Sequence, residues 1–262
     1  NNVAFEEAAK ERGIFAKTLD GDAFSDAMKA RVIAAIRENF GEIDLLVYSL
    51  ASPVRQHPRT GALHRSVIKP LGEAFQVKTL NQATGEVSEV ELEPATDEET
   101  AATVAVMGGE DWEFWVEALE KAGVLAPSFK TVSYTYIGSE LTWPIYWQAT
   151  LGKAKEDLDR AASAISARLA ALGGEARVAV LKAVVTQASS AIPVVPLYLG
   201  LLFRVMKEAG NHENCIEHID RLFRTALYAS VPPQLDEKGR VRMDDQELST
   251  AVQSEINHRW PV

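Results

Sequence analysis

The chain has 262 residues, of which 47% are hydrophobic and 24% are charged, and this length can bury a substantial core. Its net charge of −10 argues against a general nucleic-acid binder, because such proteins need a basic surface. The single cysteine, Cys215, cannot form an internal disulfide, which is typical of a reducing compartment. The first residues are acidic where a secretory leader would be basic, and the longest apolar run, 191–203, is too short to span a bilayer. These features predict a cytoplasmic protein without a membrane span.

The first part of the chain predicts a strand–helix–strand unit. Residues 15–19 are a short strand candidate. Residues 25–40 carry apolar side chains at helical spacing, with Ser25 as a plausible N-cap and Gly41 as a plausible stop. Residues 43–48 form a continuous apolar run, which is typical of a strand covered on both faces in a parallel sheet. Strand, helix and strand in this order predict a βαβ unit.

The middle of the chain interrupts this alternation with a hairpin. Two strand-like runs, 75–80 and 86–92, flank turn-forming residues and predict a hairpin insertion over about 75–93. Thr96 and Glu99 form a capping box that opens a helix to about residue 106. A second helix over 111–122, a strand over 130–136 and a long helix to about 172 follow.

The last third predicts one more strand and a mostly helical remainder. The strand covers 176–181, and residues 188–230 read as helical with a break near 210 and 211. A turn at 236–239 precedes a final helix over 244–258. No internal repeat or interdomain linker interrupts the chain. The pattern therefore predicts one α/β domain over residues 1–262, with a parallel sheet flanked by helices, the inserted hairpin and additional helices.

Residues 136–155 contain groups that can reduce a double bond conjugated to a carbonyl. Tyr136 and Tyr146 lie ten positions apart, and Lys155 follows the second tyrosine by nine. A phenol can hydrogen-bond a carbonyl oxygen and deliver a proton. A nearby ammonium lowers the pKa of the phenol and can also hold a nucleotide ribose.

The spacing of these groups conflicts with a single straight helix. Nine residues rotate about 900° and advance roughly 13 Å, which places Tyr146 and Lys155 on opposite faces. Either Tyr146 precedes the regular helix, as Pro144 permits, or a bulge intervenes. Lys153, seven residues on, would lie nearly under Tyr146 and is the geometric rival. A buried tyrosine beside two solvated lysines also explains the pattern.

The same residues carry a family resemblance. Residues 136–155, 43–53, 185–198 and 256–260 are similar to the trans-2-enoyl-CoA reductase family, whose bacterial members include NADH-dependent enoyl-acyl-carrier-protein reductases with a Tyr-x8-Lys signature. The resemblance covers essentially the whole chain. It implies a Rossmann-like fold with a helical substrate lid. It also implies reduction of the trans-2 double bond of enoyl-CoA or enoyl-acyl carrier protein by NADH, in fatty acid biosynthesis. We also expect a monomer.

The resemblance assigns roles to individual residues. It implies that Tyr146 is the proton donor, that Tyr136 contacts the thioester carbonyl, and that Lys155 contacts the cofactor ribose. The signature, rather than helix geometry, therefore favours Lys155 over Lys153. The remaining cofactor contacts that it implies are Asp22 and Ala23 at the adenine, Leu50 and Ala51 at a strand end, and Val184, Val185 and Thr186 beside the nicotinamide.

One departure from the family concerns the phosphate-binding unit. The family's dinucleotide-binding half begins with a strand, a glycine-rich loop and a second strand, and none of these precedes Asn1. The glycines allow backbone N–H groups to approach the pyrophosphate. We therefore expect a partial fold, and a non-catalytic fragment or thioester-binding module remains an alternative. A short-chain alcohol dehydrogenase is another, although it would need a Tyr-x3-Lys pair, which does not occur here.

Three further groups of residues each have two readings. No acidic residue lies between Asp44 and Glu73, and this region could bind coenzyme A phosphates or the acidic face of an acyl carrier protein, or be a solvated loop. Its cations are Arg55, Arg59, Arg65 and Lys69, with His57 and His64. His212, Cys215 and His218 are spaced too widely for one metal, and we expect a buried cysteine between surface histidines. An acyl-chain pocket or a plain core would use Trp143, Trp147, Leu197, Tyr198, Leu201, Leu202 and Phe203.

Overall fold

A four-stranded parallel sheet forms the centre of the computed structural model, which describes residues 2–81, 83–186, 189 and 192–260. The strands are β1 (Ile43–Tyr48), β2 (Val54–Gln56), β3 (Leu63–Arg65), β4 (Phe75–Leu80), β5 (Val87–Leu92), β6 (Leu125–Thr135), β7 (Glu175–Val180) and β8 (Val241–Arg242). The helices are α1 (Asn2–Glu11), α2 (Asp26–Asn39), α3 (Asp97–Met107), α4 (Glu110–Lys121), α5 (Thr150–Leu169), α6 (Val195–Glu208), α7 (Cys215–Leu222) and α8 (Thr250–Arg259). The central sheet has the order β1-β6-β7-β8, and every neighbouring pair is parallel.

Helices α4 and α5 pack on this sheet and supply much of its core. Trp112 and Val116 of α4 and Ile165 of α5 are fully buried against Phe129 of β6. The indole N–H of Trp112 donates to the Thr131 hydroxyl at 2.8 Å, which fixes α4 on β6. The predicted α/β class, with a parallel sheet flanked by helices, is confirmed. None of the described helices is long and apolar enough to cross a bilayer.

The predicted first strand is wrong, and with it the βαβ unit over residues 15–48. Residues 15–19 are irregular, and within the described residues no strand pairs with them. The Thr18 N–H instead donates to the Glu6 carboxylate of α1 at 2.6 Å, and Phe15 packs edge-on against Phe40. Strand β1 lies at the edge of the described sheet, so its Val47 is exposed where the apolar run predicted coverage on both faces.

Most other predicted elements are confirmed, with shifts at their ends. Ser25 caps α2, and the hairpin and the capping box of Thr96 and Glu99 form as expected. Strand β6 begins five residues before the predicted start, and α5 ends at Leu169 before a 3₁₀ turn. The sequence missed α1, β8 and the small β2–β3 hairpin. The strands have only two or three residues, too few to show alternation, and α1 buries none of its residues.

The C-terminal region differs mainly in where its last helix begins. Helices α6 and α7, with a break at Gly210, confirm a mostly helical stretch, which begins at Val195 after a turn; the predicted start at 188 lies outside the described residues. The final helix begins at Thr250 rather than at 244. Residues 244–249 turn instead, and this turn places the carboxylate of Glu247 in the interior, fully buried.

Gly152 tests how the start of α5 is packed. A Cβ at this position would lie 1.7 Å from the carbonyl oxygen of Trp147, so any side chain must displace backbone. We expect Gly152→Ala to lower the free energy of unfolding by about 1–3 kcal/mol, the usual cost of overpacking. The matched control is Gly200→Ala in α6, where a Cβ meets open space and better helix propensity should add up to about 1 kcal/mol. Urea unfolding measures both, and equal stabilities would contradict the packing.

Candidate active site

Several candidate site residues follow the carboxyl ends of the parallel strands. Leu50 and Ala51 come just after β1, Tyr136 comes directly after β6, and residues 184–186 follow β7. Because β1, β6 and β7 are parallel neighbours, these ends meet at one edge of the sheet, which we term the carboxyl edge. Open parallel sheets bind ligands at this edge. The fold thus brings together residues that are up to 136 positions apart in the chain.

Two tyrosines contact each other at the carboxyl edge. The rings of Tyr136 and Tyr146 are 5.1 Å apart and meet edge to face. The Tyr136 hydroxyl donates to Oε1 of Glu247 at 2.8 Å, whereas the Tyr146 hydroxyl has no hydrogen-bond partner among the described residues. Burial raises the pKa of both phenols, and the charge of Glu247 raises that of Tyr136 further. Both hydroxyls therefore stay protonated at neutral pH and can donate.

An interrupted helix gives Tyr146 its position. Residues Trp143–Ile145 form a single 3₁₀ turn that ends at Tyr146, and α5 begins only at Thr150. The Tyr146 carbonyl then accepts from the N–H of Gly152 at 3.0 Å, which ties the tyrosine to the first turn of α5. The prediction that Tyr146 precedes the regular helix is confirmed. The opposite-face argument against Tyr146 and Lys155 therefore does not apply.

The two lysines of α5 occupy different environments. Lys153 is exposed and pairs with Glu156 at 2.9 Å, as expected for a solvated helix residue. Lys155 is largely buried and has no hydrogen-bond or ion-pair partner within the described parts of the chain. Burial lowers the pKa of Lys155 to about 8. The geometric rival thus points to solvent, and Lys155 keeps an ammonium that is available for a ligand.

Glu247 is the site residue that the sequence did not predict. Its Oε1 accepts hydrogen bonds from the hydroxyls of Tyr136, at 2.8 Å, and Tyr198, at 3.0 Å. Its Oε2 accepts from the backbone N–H of Ala183 at 2.6 Å. Burial raises the pKa of this carboxyl. One glutamate among the 37 acidic residues of the chain, 111 positions from Tyr136, gives no signal in a single sequence.

The segment after β7 is held by side chains at its start and open at its end. His218 accepts the N–H of Lys182 at 3.2 Å, next to the Ala183 N–H that Glu247 accepts. Val185 and Thr186 are exposed, and the Ser189 hydroxyl accepts the Thr186 N–H at 2.9 Å. Backbone fixed at one end and exposed at the other suits contact with a bound ligand.

The other implied cofactor residues lie beside the N-terminus of α2. Asp22 is exposed, and its carboxylate accepts the N–H of Phe24 at 3.0 Å. The carbonyl of Ala23 accepts from the indole of Trp115 in α4 at 3.1 Å. This loop is therefore anchored to the helix layer on the β1 side of the sheet, while its carboxylate faces solvent.

The cationic region of residues 45–72 is largely neutralised in the folded chain. Arg55 is 2% exposed and pairs with Glu110 at 2.9 Å. Arg59 pairs with Glu117 at 2.7 Å, and Lys69 pairs with Glu99 at the same distance. Helices α3 and α4 supply these acids, which counting charges along the chain does not show. The region is not a free positive surface of the size that the sequence suggested.

Two smaller expectations are also corrected. Cys215 is exposed and His218 is fully buried, bonded to Glu213 at 2.9 Å, the reverse of the expected burial. Among the described residues, no group of three potential ligands could hold a metal. Tyr198 and Leu202 belong to the core and do not line an open acyl pocket. A separate groove of about 450 Å³ is lined by residues that include Leu141, Pro144, Val194 and Trp260.

Fold and site together define an α/β protein with a parallel sheet and two phenols in contact at its carboxyl edge. The family profile described as "Trans-2-enoyl-CoA reductase catalytic region" matches residues 1–228, and the chain belongs to this family. An enoyl-[acyl-carrier-protein] reductase [NADH] of Saccharophagus degradans is 55% identical over the whole chain. The chain spans 66% of that relative's length.

Solved structures agree with this assignment. A trans-2-enoyl-CoA reductase of Treponema denticola, in complex with NAD, is 50% identical, with a TM-score of 0.94 over 98% of this chain and 64% of that one. A trans-2-enoyl-CoA reductase of Clostridium acetobutulicum, in complex with NADH, is 43% identical, with a TM-score of 0.96 over 99% of this chain and 66% of that one. The resemblance stated from the sequence is confirmed.

A second profile, described as "Enoyl reductase FAD binding domain", matches residues 235–262. The described part of this segment is built into the fold, because β8 pairs with β7 and α8 packs on α6. Its arginines, the cations best suited to flavin phosphates, are already paired: Arg240 with Asp236 at 2.8 Å, and Arg242 with Asp244 at 2.6 Å. Arg259 is paired as well, with Glu208 at 2.8 Å, so no arginine in the described part of this segment is without a carboxylate partner.

The lowered pKa of Lys155 makes stability depend on pH. In the unfolded chain this lysine titrates near 10.5, and in the folded chain near 8. Between these values the unfolded chain binds more protons, so the free energy of unfolding rises with pH by up to about 1.4 kcal/mol per unit. Below pH 8 the cost of the buried charge is fully present, and above about 10.5 it is relieved.

We expect Lys155→Met to remove this rise, since methionine does not titrate. The control, Lys153→Met, deletes an exposed ammonium on the same helix and should keep the wild-type rise. Denaturant unfolding at several pH values between about 8 and 10 measures both. A wild-type slope in Lys155→Met would show that this lysine is not buried.

Proposed function

We propose that this protein is a reductase of the trans-2 double bond of enoyl thioesters, carried by coenzyme A or acyl carrier protein, and that NADH is its reductant. The observation that supports this most directly is the pair of protonated phenols, Tyr136 and Tyr146, in contact at the carboxyl edge of the sheet. The relatives' names and the bound NAD or NADH in their structures support the substrate class and the cofactor. This assigns the chain to fatty acid biosynthesis in the cytoplasm.

The described residues fit a dinucleotide at the carboxyl edge. Lys155 is largely buried, and its ammonium has no partner among the described residues, which suits the hydroxyls of a ribose. The open backbone of Val184, Val185 and Thr186 would lie beside the nicotinamide. At the opposite end of the dinucleotide, Asp22 and Ala23 would contact the adenine. Leu50 and Ala51 would contact the cofactor between its adenine and its nicotinamide. When bound, NADH supplies a hydride to the β-carbon of the thioester.

The phenols act on the charge that develops on the thioester oxygen. Tyr146, whose hydroxyl has no partner in the described chain, donates a hydrogen bond to that oxygen and supplies or relays the proton. Tyr136 polarises the same carbonyl from the adjacent position, 5.1 Å away between ring centres. Because the Tyr146 hydroxyl has no hydrogen bond among the described residues to break, it can stabilise this charge with little reorganisation. Lys155 orients the ribose.

We also propose that helices α6 and α7 form a lid over the substrate. Tyr198 of α6 bonds the same carboxylate as Tyr136, so the helix is joined directly to the site. The groove of about 450 Å³ beside Pro144 and Val194 offers space for the acyl portion of the thioester. We further propose that the protein is a monomer, which sedimentation analysis can check.

Replacement of Tyr146 tests the role of its hydroxyl. We expect Tyr146→Phe, assayed in the full chain with crotonyl-CoA and NADH, to lower kcat by at least about 10²-fold, the usual contribution of an acid. NADH binding, followed by nicotinamide fluorescence, should change little, because phenylalanine keeps the ring packing on Tyr136. Near wild-type turnover would refute the role, and a wild-type chain that binds no NADH would favour a thioester-binding module.

A comparison of the two lysines tests cofactor contact. We expect Lys155→Ala to weaken NADH binding and lower kcat/KM by about tenfold or more, since the ribose loses a charge-assisted hydrogen bond. Lys153→Ala should be close to wild type, because its ammonium pairs with Glu156 in solvent. The reverse ranking would transfer the role to Lys153.

A further inference from the structure

The carboxylate of Glu247 accepts three hydrogen bonds in the interior of the protein. It is fully buried, and its donors come from three parts of the fold: Tyr136 after β6, Ala183 after β7 and Tyr198 in α6. Gln253 of α8 donates to the Tyr198 oxygen at 3.1 Å and to the Glu247 carbonyl at 2.7 Å. One of these donors, Tyr136, also packs edge to face against Tyr146.

The direction of the Tyr136 proton follows from this contact. A phenol has one proton, and an ionised carboxylate can only accept. While Glu247 is ionised, the Tyr136 O–H is directed to Oε1 at 2.8 Å and is not available to a substrate carbonyl. When Glu247 is protonated, its own O–H can donate to the Tyr136 oxygen. The Tyr136 proton is then free to turn toward a ligand.

We propose, building on the proposed function, that Glu247 is a positioning residue whose protonation releases the Tyr136 hydroxyl to donate to the thioester carbonyl. Protonated Glu247 is thus the form that supports reduction, and ionised Glu247 keeps the hydroxyl turned away. Glu247 acts through Tyr136 and does not itself contact the substrate.

Burial, hydrogen bonds and nearby charges set the pH at which Glu247 loses its proton. Burial raises the pKa of Glu247, and the nearby carboxylate of Asp244, itself paired with Arg242, raises it further. The hydrogen bonds from Ala183, Tyr136 and Tyr198 lower the pKa of Glu247. The positive charge of Lys182 also lowers it; this lysine is buried, and its ammonium donates to the Ala183 carbonyl at 3.2 Å. Because burial is the largest effect, the protonated form persists to higher pH than for a free glutamate and is lost as pH rises.

The pH profile of kcat in the full chain tests the proposal. We expect wild-type kcat for crotonyl-CoA to fall as pH rises through the pKa of Glu247. Glu247→Gln is neutral at every pH, and its amide can donate to the Tyr136 oxygen, so this variant should lose that fall while keeping kcat at low pH within about tenfold of wild type. An unchanged fall in Glu247→Gln would overturn the proposal.

Two phenylalanine variants separate positioning from general stability. Tyr136→Phe removes the hydroxyl that Glu247 controls and should also lose the fall. Tyr198→Phe removes a donor to the same carboxylate oxygen, so it should keep the fall and move it to higher pH. If Tyr198→Phe behaved like Tyr136→Phe, Glu247 would have only a structural role, and the proposal would be wrong.

Nuclear magnetic resonance can follow the Tyr136 hydroxyl in the absence of turnover. In protein labelled with ¹³C at the phenol carbon, the Tyr136 signal is the one that Tyr136→Phe removes. We expect this signal to shift with pH in the wild type and to stay constant in Glu247→Gln, because the hydrogen bond reverses only where a carboxyl titrates. A wild-type signal that does not move overturns the proposal. A signal that moves in a protein with no reductase activity contradicts the proposed function alone.

Discussion

A buried carboxylate joins the elements on which the site depends. Glu247 is fully buried, and an ionisable group at such a position is costly unless hydrogen bonds compensate for the lost water. Its two oxygens take donors from the end of β6, the end of β7 and α6. These bonds fix the Tyr136 ring, the start of the 184–186 segment and α6 relative to one another. The turn over residues 244–249 therefore organises the carboxyl edge of the sheet.

The second constraint is the break between the 3₁₀ turn and α5. If one regular helix ran through Tyr146, this tyrosine would lie on the face opposite to Lys155. The regular helix α5 begins only at Thr150. Gly152 makes this possible, because its missing Cβ leaves room for the Trp147 carbonyl. The tyrosine is thereby turned toward Tyr136, while the regular part of α5 buries Lys155 and exposes Lys153. The Tyr-x8-Lys spacing therefore does not require Tyr146 and Lys155 to lie on one regular helix.

Local patterns predicted most of the fold, and contacts between distant residues account for what they missed. The cap at Ser25, the capping box at Thr96 and the hairpin follow from neighbouring residues, so a single sequence reveals them. The strand expected at 15–19 failed because strand formation needs a partner, which a local pattern does not contain. For the same reason the cationic region was misjudged: the acids that pair with Arg55 and Arg59 come from α4.

The site residues also differ in whether the local sequence could reveal them. Tyr136, Tyr146 and Lys155 could be chosen because their chemistry and spacing fall within twenty residues and match a family signature. Glu247 could not, since its role exists only where the folded chain brings it to Tyr136. The most direct test of the account is a crystal structure of the full chain with NAD and an unreactive enoyl-thioester analogue. We predict that the Tyr146 hydroxyl lies within about 3 Å of the thioester oxygen and Lys155 Nζ within hydrogen-bond distance of the ribose. A ligand bound away from both groups would contradict it.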